Sequence, residues 1–318
     1  MLNVLLWAAG GIVLLLAAAY YAVCRRMIGI ALERGKVFDA GIAEGYKTQI
    51  DEHRDLIDAG AKLFDSLDGA DKTMTSFDGL KLHAKFFKNG DGKRVILAAH
   101  GFRSNGRHDF GAVLPFYYET LGYSLLMIDQ RAHGESEGKY ITYGVCERFD
   151  IRDWARALIE WCGDDVQIIL DGISMGATAV LMSTALDLPK QVCGVVADCG
   201  FTSPWDIFRH ILAESFHLGA FPTLYIVEKM ARRRAKFGFR DASTLDAMQK
   251  CTLPVLFVHG KDDDFVPCEM SEAAYEVCAA KKKELVLVEG AQHGCSYLCD
   301  RARCEETLRR FLREITEK

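Results

Sequence analysis

The sequence has little proline, no excess of positive charge and no closely paired cysteines, and each absence excludes a class of protein. Only 6 prolines and 28 glycines occur in 318 residues, which excludes collagen-like and proline-rich architectures. Lysine and arginine number 39 against 44 aspartates and glutamates, and the net charge of −5 argues against a general nucleic-acid-binding protein. Apolar residues make up 50% of the chain, enough for a sizeable core in one large domain or two small ones.

The eleven cysteines are spread along the chain without a Cys-x-x-Cys pair. They do not form the ladder of a small secreted scaffold, so we expect a reduced domain that faces the cytosol. The densest group is His293, Cys295, Cys299 and Cys304, whose spacing fits no zinc pattern. Ordinary helix cysteines are the simpler interpretation, and the sequence predicts neither a metal nor a cofactor.

Charge is absent from residues 2–23, which are predominantly apolar. A helix of this length reaches about 33 Å and can cross a hydrocarbon core of about 30 Å. Arg25 and Arg26 follow at once, whereas a signal peptide carries its positive charge before the apolar stretch. We therefore predict a single-pass anchor over residues 1–26, with the rest of the chain in the cytoplasm by the positive-inside rule. A lipoprotein signal ending at Cys24 and a buried helix of a soluble protein are the alternatives.

Residues 27–71 are mixed and charged, and we expect a connector that is helical in pieces. From residue 72 to 318, apolar runs rich in valine, isoleucine and leucine alternate with helical patterns. This alternation predicts an α/β domain whose mostly parallel sheet is covered by helices on both faces. In such sheets, active residues gather at the carboxyl ends of the strands.

The segment Gly172-Ile173-Ser174-Met175-Gly176 lies between a predicted strand and a predicted helix. A serine on so tight a turn has a strained backbone, and the flanking glycines remove side chains that would clash. The turn lifts the hydroxyl of Ser174 clear of the sheet. In this strand–turn–helix context, the pattern predicts a nucleophile.

A serine hydroxyl needs a base to take its proton, and His293 follows the last predicted strand. An acid that orients the histidine is expected after the preceding strand, where Asp262, Asp263 and Asp264 compete for the role. The order Ser, Asp, His is the one expected on this architecture. Asp198 is a further substitute, and the aspartate run could instead be a cation site or a solvated acidic loop.

The reaction also needs donors for a developing oxyanion, and backbone amides suit this role because they reorganise little. The N–H of Met175 follows the nucleophile at the start of a helix. The N–H of Phe102 lies in His100-Gly101-Phe102-Arg103, at the end of an earlier strand. We predict these two amides as the oxyanion donors, although Gly101 alone could be an ordinary strand-ending glycine.

Together these residues resemble the α/β-hydrolase superfamily, and more narrowly its serine aminopeptidase and monoacylglycerol-lipase-like branch, which includes many bacterial membrane-associated hydrolases. The resemblance covers about residues 74–316 and rests on HGF at 100–102, DQRAHGES at 129–136, GISMG at 172–176, HGKDDDFVP at 259–267 and GAQHG at 290–294. It implies that Asp263 is the acid of the triad and that Phe102 and Met175 form the oxyanion hole. It also implies that Asp129, Arg131 and His133 are structural supports.

About fifty residues separate the strand ending near Asp198 from the next strand, far more than a connection needs. By the same resemblance, residues 203–250 form a helical cap inserted before the last two strands. Its aromatic residues indicate either an apolar acyl pocket or packing within the cap. Its basic residues indicate either a solvated helix face or contact with anionic lipid; they are Arg232, Arg233, Arg234, Lys236 and Arg240.

The resulting hypothesis is a membrane-anchored serine hydrolase that cleaves small-molecule or lipid carboxylic esters through Ser174, His293 and Asp263. A thioester or a peptide amide is an alternative substrate on the same fold. A cofactor-free oxidase or lyase and a non-catalytic membrane scaffold are alternatives from other classes, since fold does not determine function. The sequence predicts no nucleic-acid partner and is silent on oligomeric state.

Overall fold

The computed structural model describes residues 1–35 and 44–317. Its centre is an eight-stranded sheet with the order β1-β2-β4-β3-β5-β6-β7-β8, in which β2 is antiparallel to both of its neighbours and the remaining pairs are parallel. The strands are β1 (Ala70–Thr75), β2 (Lys81–Phe87), β3 (Arg94–Ala99), β4 (Ser124–Asp129), β5 (Gln167–Ile173), β6 (Val192–Asp198), β7 (Val255–Gly260) and β8 (Lys283–Val288).

The helices cover both faces of this sheet. In chain order they are α1 (Leu2–Leu32), α2 (Glu44–Glu52), α3 (Arg54–Ser66), α4 (Gly106–Asp109), a short π-helix (Phe116–Thr120), α5 (Glu147–Cys162), α6 (Met175–Ser183), α7 (Pro204–Phe216), α8 (Thr223–Arg234), α9 (Thr244–Met248), α10 (Glu269–Val277), α11 (Ser296–Cys299) and α12 (Arg301–Thr316). The predicted fold is confirmed, since α7, α8 and α9 are inserted between β6 and β7, before the last two strands.

Alternation along the strands divides the core between the two faces of the sheet. Leu170 of β5 belongs to the face that also buries Trp154 of α5, whereas Ile169 belongs to the face that buries Phe311 of α12. Both faces of the central strands are therefore dry, and their backbone hydrogen bonds are satisfied within the sheet. This two-sided burial makes the carboxyl ends of the strands a firm platform for loops.

Two helical segments are interrupted in the structure. α4 and the π-helix are separate because Gly111 and Pro115 lie between them and proline donates no backbone hydrogen bond. α11 and α12 are separated at Asp300, whose side chain accepts a hydrogen bond from the Arg303 N–H and so caps the start of α12.

The N-terminal helix α1 is long and apolar enough to cross a membrane, and none of its most apolar part is buried against the rest of the protein. Its last turns behave differently. Cys24, Ile28 and Leu32 are at most 2% exposed, and α1 continues past residue 26, where the sequence placed the end of the anchor. The end of α1 is thus packed into the α/β domain.

Candidate active site

The strand β5 passes into α6 through a sharp turn at Ser174, whose backbone lies at φ 56° and ψ −115°. Residues other than glycine rarely adopt a positive φ, because it strains the backbone. Strain of this kind is concentrated at functional sites. A Cβ atom on Gly176 would overlap the carbonyl oxygen of Ala99, and one on Gly172 would overlap the backbone of Gly176. Glycine at both positions therefore lets the turn form against β3.

Ser174, His293 and Asp263 form a continuous chain of hydrogen bonds across three strand ends. The Ser174 hydroxyl lies 2.9 Å from Nε2 of His293, and Nδ1 of His293 lies 2.7 Å from Oδ2 of Asp263. In the tautomer that satisfies both contacts, Nδ1–H donates to the carboxylate and Nε2 accepts from the hydroxyl. Nε2 is then free to take the serine proton.

The carboxylate of Asp263 accepts hydrogen bonds at both oxygens. Oδ1 accepts from the backbone N–H groups of Phe265 and Val266 at 3.0 Å and 2.8 Å. Oδ2 is shared between Nδ1 of His293 and Nε2 of His259, which is 3.1 Å away. The side chain of Asp263 is completely buried, so this array of donors holds it in one orientation.

Burial and charge act in opposite directions on the two ionisable groups. Burial alone would raise the pKa of Asp263, but the charge of His293 and hydrogen bonds from His259 and His293 hold that pKa well below its usual value. Burial would likewise lower the pKa of His293, yet the Asp263 carboxylate raises it above 6.5. The pair therefore favours a charged aspartate beside an imidazole that binds a proton readily.

The loop that contains Phe102 approaches the serine closely. A Cβ atom on Gly101 would lie 3.4 Å from Cβ of Ser174. The Gly101 N–H donates to Oδ2 of Asp109 at 2.6 Å. Among the residues that the structure describes, the N–H groups of Phe102 and Met175 donate to no other group, so both remain available to a substrate oxygen.

Two buried neutral histidines support this loop. Nε2 of His133 accepts from the Arg103 N–H at 3.0 Å, while its Nδ1–H donates to the carbonyl of Arg131. Burial lowers the pKa of His133 to about 3, which keeps Nε2 an acceptor at neutral pH. His100 is arranged similarly, with Nδ1 bonded to the Gly101 carbonyl and Nε2 accepting from the Gln130 N–H.

A cavity of about 980 Å³ contains Ser174 and His293 in its wall. Its size lies at the upper end of the range for small-molecule sites. Phe208 and Phe216 of the cap line it, whereas Phe237 and Phe239 are fully buried within the cap. Some aromatic residues of the cap thus line the cavity, and others pack within the cap, which are the two roles that the sequence left open.

The other predicted acids lie outside the hydrogen-bond chain. Asp262 and Asp264 are exposed, although Asp264 borders the cavity. Asp198 is half-buried, also borders the cavity and accepts from the Ser296 hydroxyl at 3.2 Å, and desolvation raises its pKa to about 6. The geometry thus singles out Asp263 as the partner of His293.

One group of side chains could be mistaken for a metal site. The ligand atoms of Cys199, Asp263 and His293 lie within 4.8 Å of one another. However, Asp263 and His293 are already bonded to each other, and burial raises the pKa of the Cys199 thiol well above its usual value of 9.0. A protonated thiol is a poor ligand, so we assign no metal to this cluster.

The basic residues of the cap also differ from one another. Arg240 binds Glu228 at 2.8 Å and lies over the ring of Trp205, and Arg232 binds Asp241 at 2.6 Å. Among the described residues, Arg233 has no carboxylate partner. At least two of the five basic side chains therefore stabilise the cap itself.

Two supporting residues were missed in the sequence. Asp109 anchors Gly101, and His259 shares the carboxylate of Asp263. His259 could have been noticed because it begins the HGKDDDFVP segment and precedes Asp263 by four residues. Nothing in the local pattern around Asp109 indicates its role.

Part of the chain matches a described family, and most of it is similar to individual proteins. A family described as "Serine aminopeptidase, S33" matches residues 226–297, which include Asp263 and His293. The protein YqkD of Bacillus subtilis is 28% identical over 274 residues, covering 85% of this chain and 89% of its own. The α/β hydrolase domain-containing protein WAV2 of Arabidopsis thaliana is 27% identical and covers 68% of each chain.

Solved structures show the same fold. The esterase Pf2001 of Pyrococcus furiosus superposes with a TM-score of 0.64 at 22% identity, covering 83% of this chain and 95% of the esterase. The superposition shows that the arrangement of strands, helices and loops described above is the α/β-hydrolase fold.

Proposed function

We propose that the chain, which has the α/β-hydrolase fold, is a membrane-anchored serine hydrolase that cleaves carboxylic esters; its similarity to serine aminopeptidases and to an α/β hydrolase domain-containing protein supports the proposal. The observation that carries the proposal is the hydrogen-bond chain from Ser174 through His293 to Asp263. Fold alone does not determine reaction type, but a hydroxyl, an imidazole and a carboxylate in this order form a nucleophile, a base and an orienting acid.

In the proposed reaction, Nε2 of His293 takes the proton of Ser174 as its Oγ attacks the ester carbonyl. The amides of Phe102 and Met175 stabilise the oxyanion of the tetrahedral intermediate. The imidazolium, held by Asp263, then protonates the leaving alcohol and an acyl-enzyme remains. Water, deprotonated by His293, attacks this acyl group, and the return of the proton to Ser174 releases the carboxylic acid.

An ester is the proposed substrate because an alcohol leaves more readily than an amine and because the cavity is lined by apolar side chains such as Phe208, Leu224 and Val258. A peptide amide is the second candidate, and the similarity of residues 226–297 to serine aminopeptidases favours it. A panel of aminoacyl 4-nitroanilides and 4-nitrophenyl esters separates the two. Faster turnover of the anilides would replace the esterase proposal with a peptidase.

The direct test is hydrolysis of 4-nitrophenyl butanoate by Ser174→Ala. We expect a loss of about 10³-fold or more in kcat, because the nucleophile is removed. Ser183→Ala is the matched control, since Ser183 is a buried serine of α6 whose hydroxyl donates to the Val180 carbonyl. Full activity in Ser174→Ala would refute the proposal, and a folded wild-type protein without any turnover would favour a non-catalytic scaffold.

We propose the membrane anchor on the length and exposure of α1, whose residues 3–19 are apolar or small apart from Asn3 and exposed on every side. The measurement is sedimentation with membranes after alkaline carbonate washing, which releases peripheral proteins. The full chain should remain in the pellet, and release into the supernatant would refute the anchor. Protease accessibility in intact cells then tests the proposed cytoplasmic position of the catalytic domain.

A further inference from the structure

The carbonyl groups at the end of α1 are bonded to the domain that carries Ser174. The last four carbonyls of a helix have no partner within it. Here the guanidinium of Arg103 donates to the carbonyls of Ile30 and Glu33, and the Tyr143 hydroxyl donates to the carbonyl of Ala31 at 2.9 Å. Arg103 directly follows Phe102 in the loop beside the serine. The end of α1 is therefore fixed relative to the reacting groups.

One stripe of α1 packs against the cap. Cys24, Ile28 and Leu32 recur every four residues, and they form one buried cluster with Leu224 and Val227 of α8. The Tyr20 hydroxyl lies 2.6 Å from Oγ1 of Thr223, which begins α8. Burial of these apolar side chains removes their surface from water and stabilises the contact. The helix and the cap thus form one structural unit.

The neighbouring stripe of α1 faces the cavity instead. Val23, Met27 and Ile30 recur at the spacing of one helix face, and all three line the cavity that contains Ser174. Val23 is 55% exposed, whereas Met27 and Ile30 are more buried. Arg26, which is exposed, also borders the cavity, but the more buried part of the α1 wall is apolar, so it fits a hydrocarbon chain better than a polar group.

The exposed end of the α1 wall lies where the bilayer surface is expected. The exposed part of α1, residues 3–19, would span about 26 Å, close to the thickness of a hydrocarbon core. The exposed Arg25 and Arg26 follow and suit the headgroup layer. Phe216 at the end of α7 is 40% exposed, and Phe221, before the start of α8, is 80% exposed. Phe221 precedes Thr223, which contacts Tyr20 of α1, by two residues, and both phenylalanines are suited to contact with lipid.

We propose that α1 is a wall of the substrate site as well as an anchor, so that the acyl chain of the ester binds against Val23, Met27 and Ile30 and enters from the bilayer side. This inference rests on the proposed ester hydrolysis at Ser174. By this proposal α1, whose sequence indicates only membrane attachment, also sets the preference for acyl-chain length. A larger side chain at Val23, Met27 or Ile30 would shorten the space open to the acyl chain.

The experiment uses the full chain in phosphatidylcholine vesicles. For each variant, kcat/KM is measured with 4-nitrophenyl hexadecanoate and with 4-nitrophenyl butanoate, and the ratio of the two values is compared. Met27→Trp fills the cavity from the α1 wall. Ala22→Trp is the matched control, because Ala22 is exposed on α1, lies outside the cavity wall, and is close to the interface where tryptophan is tolerated.

We expect Met27→Trp to lower the ratio at least tenfold and Ala22→Trp to leave it within twofold of the wild-type ratio. Labelling of Ser174 by a short fluorophosphonate shows that each variant is folded; if Met27→Trp is not labelled, the smaller change Ile30→Phe takes its place with the same expectation. An unchanged ratio in the labelled variant would overturn the role of α1 while leaving ester hydrolysis intact. A wild-type protein that cleaves neither ester would overturn the proposed function and this inference together.

Discussion

Replacing Asp263 by asparagine tests the proposed triad at its most buried member. Every group around this carboxylate is a donor: the ring N–H groups of His293 and His259 face Oδ2, and the N–H groups of Phe265 and Val266 face Oδ1. An asparagine NH₂ group would therefore face two donors in either orientation. The surroundings can adapt at His293 by moving its proton from Nδ1 to Nε2, so that Nδ1 accepts from the amide.

That adaptation places a hydrogen on the nitrogen that must take the serine proton. Loss of the acid in such a triad lowers kcat by about 10⁴-fold, which corresponds to about 5.5 kcal/mol in the activation barrier. We expect a loss of this size in Asp263→Asn. The remaining activity should also extend to lower pH, because the carboxylate that raises the pKa of His293 has been removed.

The assay is the pH profile of kcat/KM with 4-nitrophenyl butanoate, and Asp198→Asn is the matched control. Asp198 lies nearby, is half-buried and has a raised pKa, but its hydrogen bond goes to Ser296 and not to His293. We expect its substitution to lower kcat less than tenfold. A loss of 10³-fold or more in Asp198→Asn, with Asp263→Asn nearly as active as wild type, would refute the assignment.

Three further predictions concern the wild-type pH profile, the serine turn and a buried ion pair. The wild-type kcat/KM should fall as the pH drops through the pKa of His293, which lies above 6.5, because only the neutral imidazole is a base; a flat profile from pH 5 to 8 would contradict this. Gly176→Ala should prevent stable folding, since its Cβ would overlap the Ala99 carbonyl. In the control Gly219→Ala the new Cβ meets none of the described residues within 4 Å, so the unfolding temperature in detergent should be unchanged. Equal unfolding temperatures for the two variants would contradict the predicted overlap at Gly176. Arg131→Met should destabilise the fold by about 3–5 kcal/mol, because buried Asp150 loses the partner that lies 2.7 Å away. Arg156→Met, at a more exposed pair, should change stability by less than about 1 kcal/mol. Similar losses of stability for the two variants in urea unfolding would contradict the larger contribution of the buried pair.

The strands and the serine turn were predictable because their signals are local. Apolar runs such as residues 95–99 are fully buried in strands, and the glycines around Ser174 are the known requirement of so tight a turn. The choice of Asp263 from three adjacent aspartates depended on the family resemblance. The three residues are all aspartates, so residue type cannot distinguish them, and only the folded chain places one of the three beside His293.

The role of the end of α1 could not be predicted from hydropathy. An apolar stretch looks the same whether its side chains face lipid, a cap helix or a cavity, so Cys24 and Val23 cannot be distinguished by composition. The contact of Arg103 with the carbonyls of Ile30 and Glu33 joins positions about seventy residues apart. Such long-range hydrogen bonds leave no periodic pattern, and for the same reason Asp109 was missed.

Acylation of Ser174 can be detected from the mass of the peptide that contains it, after rapid acid quenching during turnover of 4-nitrophenyl butanoate. We expect a butanoyl group on Ser174 in the wild-type protein and its loss in His293→Ala, because the imidazole activates the hydroxyl that it contacts at 2.9 Å. An acyl group on another residue, or steady turnover with no acylated peptide, would contradict this expectation.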